Sequence, residues 1–269
     1  MTNHENREEC AKYFGKHFFD EMTEIIRKKQ TELHKHSVLT VPSNYYAIKY
    51  SNEMSVSVKG ASLGVCLENF PVPKARRRGQ VRRHESDPIR ILLPSRLKFY
   101  QKGHDIALDA CSELKKVGVS LTLTISGINE SYREDLDELF RMAEIREIRE
   151  NLTAKRYANI QSAYDETDVV ISPERFCSYG LAISEALAGG IPTVLSDIPT
   201  YKEIAQDFSH ALFMRSGNPS DLAHQICASQ KLDAELLANE AVRFREIYDL
   251  RHCARTFSRL YRMTQSNND

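Results

Sequence analysis

The chain has 269 residues, 37 basic against 37 acidic side chains and a formal net charge of zero. That length suffices for one large or two small domains with an ample core, and the balanced charge argues for neither nucleic acid nor an acidic membrane surface as a partner of the chain as a whole. No apolar run is long enough to span a bilayer, the opening Met-Thr-Asn-His-Glu-Asn-Arg-Glu-Glu is no secretory signal, and six scattered cysteines form no Cys-x-x-Cys pair; neither a disulfide framework nor a zinc site is expected, and a reducing cytoplasm fits best.

In chain order, residues 5–36 are charged and helix-forming, with Phe14, Phe18, Met22, Ile25 and Ile26 recurring on one face. A short extended run, Ser37-Val-Leu-Thr-Val-Pro-Ser-Asn, precedes a polar segment. Leu63-Gly-Val-Cys-Leu-Glu-Asn-Phe-Pro-Val-Pro then predicts a strand ending in a turn. Residues 71–88 read as a linker, punctuated by Pro71, Pro73 and Pro88 and made basic by Lys74, Arg76, Arg77, Arg78, Arg82 and Arg83, with Arg90 just beyond. Such a run is ordinarily a solvated connection; phosphate or a membrane face is the alternative.

Ile89-Arg-Ile-Leu-Leu is apolar enough to be a strand buried on both faces. It leads into Pro94-Ser-Arg-Leu-Lys-Phe-Tyr-Gln-Lys-Gly-His-Asp and then a helix presenting Ile106, Ala107, Ala110, Cys111, Leu114 and Val117. Arg96 and Lys102 bracket the loop at the end of that strand. This is a natural place for two cations to clamp a diphosphate, Arg through a planar fork and Lys through a compact charge. A strand and turn at 121–127, a charged helix at 131–143, a weak strand or turn at 145–148 and a helix at 154–164 follow. The last strand is expected at 211–214; Asn218 then caps a helix with Pro219 at its first position, and amphipathic helices fill 232–263 before a frayed tail. This alternation predicts an α/β domain over 89–230 built on a doubly wound parallel sheet, with C-terminal helices over 231–269.

The most informative stretch is 171–197. Val169, Val170 and Ile171 form a strand that Pro173 stops; a helix with Leu181, Ile183, Ala186 and Leu187 on its apolar stripe runs to Ala188; Gly189 and Gly190 end it; Thr193, Val194 and Leu195 begin another strand. A polar loop and a helix start therefore meet at the carboxyl end of a parallel strand, where open α/β sheets bind ligands. Backbone N–H groups of Tyr179, Gly180 and Leu181 and the helix dipole favour an anion there, and Gly180 lets a phosphate approach closely. Glu185, further along the helix, lies within reach of a sugar hydroxyl attached to that phosphate.

Gly180-Leu-Ala-Ile-Ser-Glu-Ala-Leu-Ala-Gly-Gly-Ile-Pro-Thr-Val resembles the C-terminal, donor-binding domain of GT-B glycosyltransferases of the family-4, "glycosyl transferases group 1" type. The family pattern is Glu, seven residues, Glu, then Ala-x-Ala-x-Gly-x-Pro-Val. Here Glu185 occupies the second Glu and Cys177 the first. Ser95-Arg96-Leu97, a spacer and Lys102-Gly103 repeat the resemblance, which implies that Arg96 and Lys102 neutralise the leaving nucleotide diphosphate. Val41-Pro-Ser-Asn and Glu68-Asn-Phe-Pro are similar to short stretches near the end of the family's N-terminal domain. On that resemblance residues 1–70 are a truncated, mainly helical remnant of the acceptor domain, and 89–230 is the Rossmann-like domain that binds the nucleotide sugar.

The resemblance implies a transferase that moves a sugar, with retention, from a nucleotide diphosphate sugar to a hydroxyl acceptor, a saccharide or lipid-linked glycan, in polysaccharide or glycoconjugate biosynthesis. Arg96 and Lys102 are the catalytic candidates; Ser178, Tyr179, Gly180, Leu181, Ala182 and Glu185 would hold the donor, Glu185 at the ribose. No metal and no cofactor beyond the donor are implied, because two cations and a helix dipole can carry the leaving charge. Nucleic acid is not expected as a partner, and the location expected is the cytoplasm or the inner face of the membrane. The rival expectation is an inactive or partner-dependent donor-binding domain, with a second polypeptide or a second copy supplying the acceptor half; a phosphate-binding module without sugar chemistry is a third. Cys177 as a nucleophile lacks a nearby histidine to activate it. His104 reads as a helix-start residue, Glu203 as a family position or a surface residue, and Asn151-Leu-Thr as a glycosylation pattern without meaning in a cytoplasmic protein.

Overall fold

A computed structural model of the chain describes residues 24–25, 28, 37–69, 87–128 and 133–265. Nearly all of the predicted helix at 5–36, the basic linker up to residue 86 and the tail after 265 lie outside those residues. The chain divides into two compact units, Leu63–His252 and Met1–Ser62 with Cys253–Asp269. Among the described residues no helix is long and apolar enough to cross a membrane.

In the smaller unit, β1 (Leu39–Val41) and β2 (Val58–Gly60) pair in parallel, joined through α1 (Asn44–Met54). The polar segment after Asn44 is thus a helix, with the Ser43 hydroxyl capping it by accepting from the Tyr46 N–H at 3.2 Å. Its apolar signal is carried by Tyr46, Ala47 and Tyr50, which pack with Val58, the two rings stacked at 5.5 Å. Tyrosines one turn apart do the work that aliphatic residues do elsewhere.

The larger unit runs β3 (Ile89–Pro94), α2 (Phe99–Lys102), α3 (His104–Lys116), β4 (Leu121–Ser126), α4 (Arg133–Ile145), β5 (Leu152–Lys155), α5 (Ile160–Asp165), β6 (Val169–Ser172), α6 (Leu181–Ala188), β7 (Thr193–Ser196), α7 (Pro199–Ala205), β8 (Ala211–Met214), α8 (Pro219–Ser229) and α9 (Ala234–Tyr248). The next helix, α10 (Leu250–Gln265), begins in this unit, and its residues from Cys253 belong to the other. Six strands form one sheet in the order β5-β4-β3-β6-β7-β8, every pair parallel. The two-residue period of the strands sorts the core into two layers. Ile91, Leu93, Val169, Ile171 and Val194 face α3, α4 and α8, whose Ile106, Leu114, Leu139 and Ile226 complete that layer. Leu92, Val170 and Leu195 face the other way, toward Tyr164 of α5, Ile183 and Leu187 of α6, Tyr201 of α7 and Phe244 of α9. The expected doubly wound parallel sheet is present, and Asn218 caps α8 as anticipated, accepting from the Asp221 N–H at 3.0 Å.

Two elements differ from expectation. The helix expected at 154–164 is confined to its second half: Ala154 and Lys155 end β5, a loop follows, and α5 starts at Ile160. Of the strand or turn expected at 145–148 the turn is present, following the end of α4 at Ile145, with Glu147 at φ 58°. β5 is an edge strand that buries only Leu152 of its four residues, so it carries no continuous apolar run, and Ala-Lys-Arg read as helix. The strand expected from Leu63 is instead one bridge, Val65 to Asp249, and a single 3-10 turn at Leu67–Asn69.

β3 and β6 are adjacent, but the helices that follow them leave to opposite faces, so a crevice opens between their exit loops. Gly103 closes the base of that crevice. It ends α2 and starts α3 in the left-handed conformation, φ 66°, and a Cβ there would sit 2.1 Å from the Pro173 carbonyl oxygen. Gly103→Ala is therefore expected to cost at least the ~1–3 kcal/mol of a strained backbone position. Urea unfolding measures it, and a variant within about 0.5 kcal/mol of the parent, the range of ordinary surface changes, would mean that the two exit loops are not packed against each other.

Candidate functional site

The first wall of the crevice is the exit loop of β3. Ser95, buried, turns inward, and its hydroxyl meets His104 Nε2 at 3.1 Å. His104 is fully buried against the edge of Phe99, and burial lowers its pKa to about 4, so the ring is neutral at neutral pH. It is more than a helix-start residue: it fixes the loop from which Arg96 projects. Arg96 itself is exposed at the carboxyl end of β3.

Lys102 is in a different state. Its ammonium lies 2.7 Å from Glu174 Oε1, with the two side chains 16% and 7% exposed. Glu174 belongs to the exit loop of β6, the opposite wall, and its second oxygen is buried without a hydrogen-bond partner. The same wall is tied down again by Arg175. Its guanidinium forks onto the Asp105 carboxylate at 2.9 and 2.6 Å, donates to the Tyr100 carbonyl at 2.8 Å and lies over the Tyr100 ring at 4.3 Å. Two ion pairs therefore cross the mouth of the crevice and hold both loops in register.

Beyond Glu174 the loop passes Cys177 and Ser178 and enters α6. Cys177 is buried, its carbonyl accepts from Thr200 Oγ1 at 3.0 Å, and burial, with the Glu174 carboxylate adding to it, pushes the thiol up to about 12. It is a packed thiol, not a nucleophile. Ser178 is exposed; Tyr179 is buried, its hydroxyl donating to the Leu63 carbonyl. Gly180 has φ 102°, and a Cβ on it would lie 2.6 Å from the Tyr201 ring, so the neighbouring aromatic as well as the backbone requires glycine. The first intrahelical bond is donated by Ile183 to the Gly180 carbonyl at 3.1 Å. The N–H groups of Leu181 and Ala182 thus emerge at the helix end beside the crevice, as the first donors of a helix do. Leu181 is exposed and Ala182 partly so.

Glu185, one turn on, is held by Tyr164, whose hydroxyl lies 3.0 Å from Glu185 Oε2 and 2.9 Å from the Ala182 carbonyl. Partial burial raises the pKa of Glu185 and the Tyr164 hydroxyl lowers it again in part; Tyr164 itself is held well above the usual phenol range. Tyr164 is therefore a fixed donor that aims the carboxylate.

Sequence reading missed a cleft of about 320 Å³ at the carboxyl ends of β4 and β5, lined by Ser126, Gly127, Ile128, Arg156, Tyr157 and Ile160. It adjoins the β3 loop, since a Cβ on Gly127 would lie 3.0 Å from the Ser95 carbonyl oxygen. Gly127 directly after a strand was the available signal; Arg156 and Tyr157 were hidden by the reading of β5 as helix. A second cleft, about 440 Å³, lies at the ends of β7 and β8 around Asp197, Lys202 and Arg215. Glu203 sits partly exposed on α7, and no position in either cleft depends on it. Among the described residues no three His, Cys, Asp or Glu side chains gather as a metal site. The run Asp135-Leu-Asp137 lies within α4, where residues two apart do not share a face.

The Lys102–Glu174 pair predicts a specific stability pattern. Glu174→Ala leaves a largely buried ammonium unpaired and is expected to cost about 3–5 kcal/mol, whereas Lys102→Met with Glu174→Leu is expected to be close to neutral. Denaturant unfolding of both variants tests this. A Glu174→Ala loss under about 1 kcal/mol, the range of a solvated surface pair, would show that water reaches both charges.

Comparison with known proteins agrees with this fold. The family model for glycosyl transferases group 1 matches residues 76–240. WcaL of Escherichia coli (strain K12), named as a colanic acid biosynthesis glycosyltransferase, is 27% identical over 165 residues, which cover 59% of this chain and 40% of WcaL. The chain thus spans about two fifths of that relative's length. Sucrose-phosphate synthase from Thermosynechococcus elongatus superposes with a TM-score of 0.73 at 19% identity, covering 91% of this chain and 62% of the synthase. Anabaena Alr3699/HepE in complex with UDP and glucose superposes with a TM-score of 0.67 at 17% identity, covering 83% of this chain and 62% of HepE. With a match over more than half its length, the chain belongs to the glycosyl transferases group 1 family.

Proposed function

We propose that the larger unit holds a nucleoside diphosphate sugar and serves transfer of its sugar to a hydroxyl acceptor, with retention, in the making of a polysaccharide or glycoconjugate. One observation supports the reading: Arg96 and Lys102 follow β3 and α6 follows β6, adjacent parallel strands whose exit loops are joined by the Lys102–Glu174 ion pair at 2.7 Å. In the reaction the anomeric C–O bond to the β-phosphate breaks and a new C–O bond forms to the acceptor oxygen. The acceptor's proton leaves with the nucleoside diphosphate. Negative charge builds on the departing diphosphate, where a guanidinium, an ammonium and the Leu181 and Ala182 N–H groups are placed to stabilise it. Glu185, aimed by Tyr164, accepts from the ribose hydroxyls, and the cleft around Gly127 and Arg156 takes the base. The UDP and glucose complex named for HepE and the colanic acid role named for WcaL support a nucleotide sugar and a saccharide acceptor.

A second reading is a donor-binding unit that transfers sugar only with a second polypeptide or a second copy. It is favoured by Cys177, a buried thiol at the position where the family carries a glutamate. Turnover of a nucleotide sugar by the purified chain, compared across its oligomeric states, separates the two: a monomer that turns over at an ordinary rate, of the order of 10 per second, excludes the second reading.

Arg96→Ala and Lys102→Ala are each expected to weaken nucleoside diphosphates by about 1.5–3 kcal/mol while leaving nucleosides unchanged. Calorimetric titration with both ligand classes checks this, and equal losses for the two would remove both residues from the phosphate. The ribose contact needs an ionised Glu185. Because that group's pKa is raised above 4.5, nucleoside affinity is expected to fall on acidification earlier than an ordinary glutamate would cause. Glu185→Gln should bind weakly at all pH values and abolish this dependence; a pH profile unchanged by Glu185→Gln would place the ribose elsewhere.

A further inference from the structure

Glu174 is a buried acid to which the proposed reaction gives no part. Its Oε1 takes the Lys102 ammonium at 2.7 Å and the Ser172 hydroxyl at 3.3 Å, and its Oε2 is buried with no hydrogen-bond partner. Lys102 is thus its countercharge among the described residues. The carboxylate is also fixed from behind. Ser172, the last residue of β6, shares a 2.7 Å hydrogen bond with the Tyr201 hydroxyl, and the buried Tyr201 ring lies 2.6 Å from where a Cβ on Gly180 would be. The loop is closed at the backbone as well: the Arg175 N–H donates to the Gln101 carbonyl at 3.0 Å, and the Pro173 carbonyl packs on Gly103. Lys102, by contrast, ends the short helix α2 and carries its charge on a flexible stem.

A fixed acid and a movable ammonium set up a competition. A diphosphate beside Arg96 can engage Lys102 fully only by drawing it from Glu174. The carboxylate left behind would be buried with one neutral hydroxyl as its partner. Leaving a buried charge unpaired is costly, and that cost lowers the affinity for the diphosphate. We propose, resting on the reading of this crevice as a diphosphate site, that Glu174 is a positioning residue that acts through Lys102. It competes with the diphosphate for the ammonium and takes the ammonium back as the leaving group departs. The reaction has a use for such a pair. The diphosphate must be stabilised as it forms and then let go, and product release limits the turnover of many enzymes.

Calorimetric titration of the full chain with UDP, uridine and inorganic pyrophosphate tests this, pyrophosphate reporting on the phosphate contacts whatever the base. Glu174→Gln keeps the shape and an acceptor for Lys102 but removes the charge. It is expected to tighten UDP and pyrophosphate about ten-fold, the low end for a hydrogen bond to a charged group, and to leave uridine unchanged. Loss of a merely structural support would weaken binding, so the sign decides. In a Lys102→Met background the same change is expected to bring no gain. Unchanged or weaker binding by Glu174→Gln overturns the proposal. So does an equal gain in both backgrounds, which would make Glu174 a bystander charge rather than a competitor for the lysine. Lys102→Met with Glu174→Leu, which is expected to be close to neutral in stability, gives a second measure. Its pyrophosphate affinity should stay close to the parent's, and a loss as large as that of Arg96→Ala overturns the proposal. If Arg96→Ala and Lys102→Met both leave UDP and pyrophosphate binding unchanged, the reading of the crevice falls too. If both weaken it and Glu174→Gln brings no gain, that reading stands and the role of Glu174 alone falls.

Discussion

The larger unit depends on one short junction. β3 and β6 meet through only two residue pairs, Ile91 with Val169 and Leu92 with Val170, yet the sheet changes winding direction there. Two backbone pairs are a thin seam for a place where helices diverge to opposite faces, and the seam is reinforced at both ends. At the amino end Asp168 accepts from the Arg90 backbone N–H at 2.8 Å and pairs with its guanidinium at 3.3 Å, while the Asp168 N–H returns a bond to the Arg90 carbonyl at 2.9 Å. At the carboxyl end Lys102–Glu174 and Arg175–Asp105 cross from one exit loop to the other. The crevice between the loops is therefore a consequence of winding, and its width is set by ion pairs.

Buried ion pairs are poor sources of net stability, because removing two charges from water offsets most of their attraction. What they supply at this junction is geometry. A packed apolar pair would hold the loops together as well, but it would remove the Lys102 cation and leave Arg96 alone at the end of β3. The site thus keeps its charge at a cost in stability, and the compensating terms lie in the two apolar layers, where strands β6 and β7 are buried along their whole length. Gly103 and Gly180 serve the same end: each sits in a left-handed conformation where a side chain would strike the opposite loop or the Tyr201 ring.

The parts of this design that are local in sequence were legible there. β3, β6 and β7 announce themselves because burial on both faces demands an uninterrupted apolar run, and α6 because two glycines end it. β5 and α1 were not legible, since an edge strand with one buried residue and a helix packed through tyrosines lack the patterns that betray a core face. Arg96, Lys102 and Glu185 stood out by position after predicted strands. Their partners did not. Glu174 is 72 residues from Lys102 and Asp105 is 70 from Arg175, so no spacing rule connects them, and Tyr164 looked like any aromatic at a helix end before its hydroxyl was found on Glu185.

The long-range partners also divide the two cations into different roles. Arg96 projects from a loop fixed by the neutral His104 ring and the Ser95 hydroxyl, and it meets solvent. Lys102 already has an anion. In the proposed reading a diphosphate reaching the crevice encounters Arg96 and the start of α6 first, and gains Lys102 only by competing with or sharing Glu174. A carboxylate 2.7 Å from the ammonium cancels most of its field at a distance, so Lys102 contributes little to steering and much to contact. Glu174 is also the acidic side chain in the β6 exit loop, three positions before the buried Cys177 that stands where the family has a glutamate. The negative charge of this loop has therefore not vanished with that substitution; it sits deeper, against the lysine. In that reading a site so arranged would admit an anion by exchanging one partner of a buried cation for another, and that exchange, rather than the count of positive charges, would set how tightly it holds a phosphate.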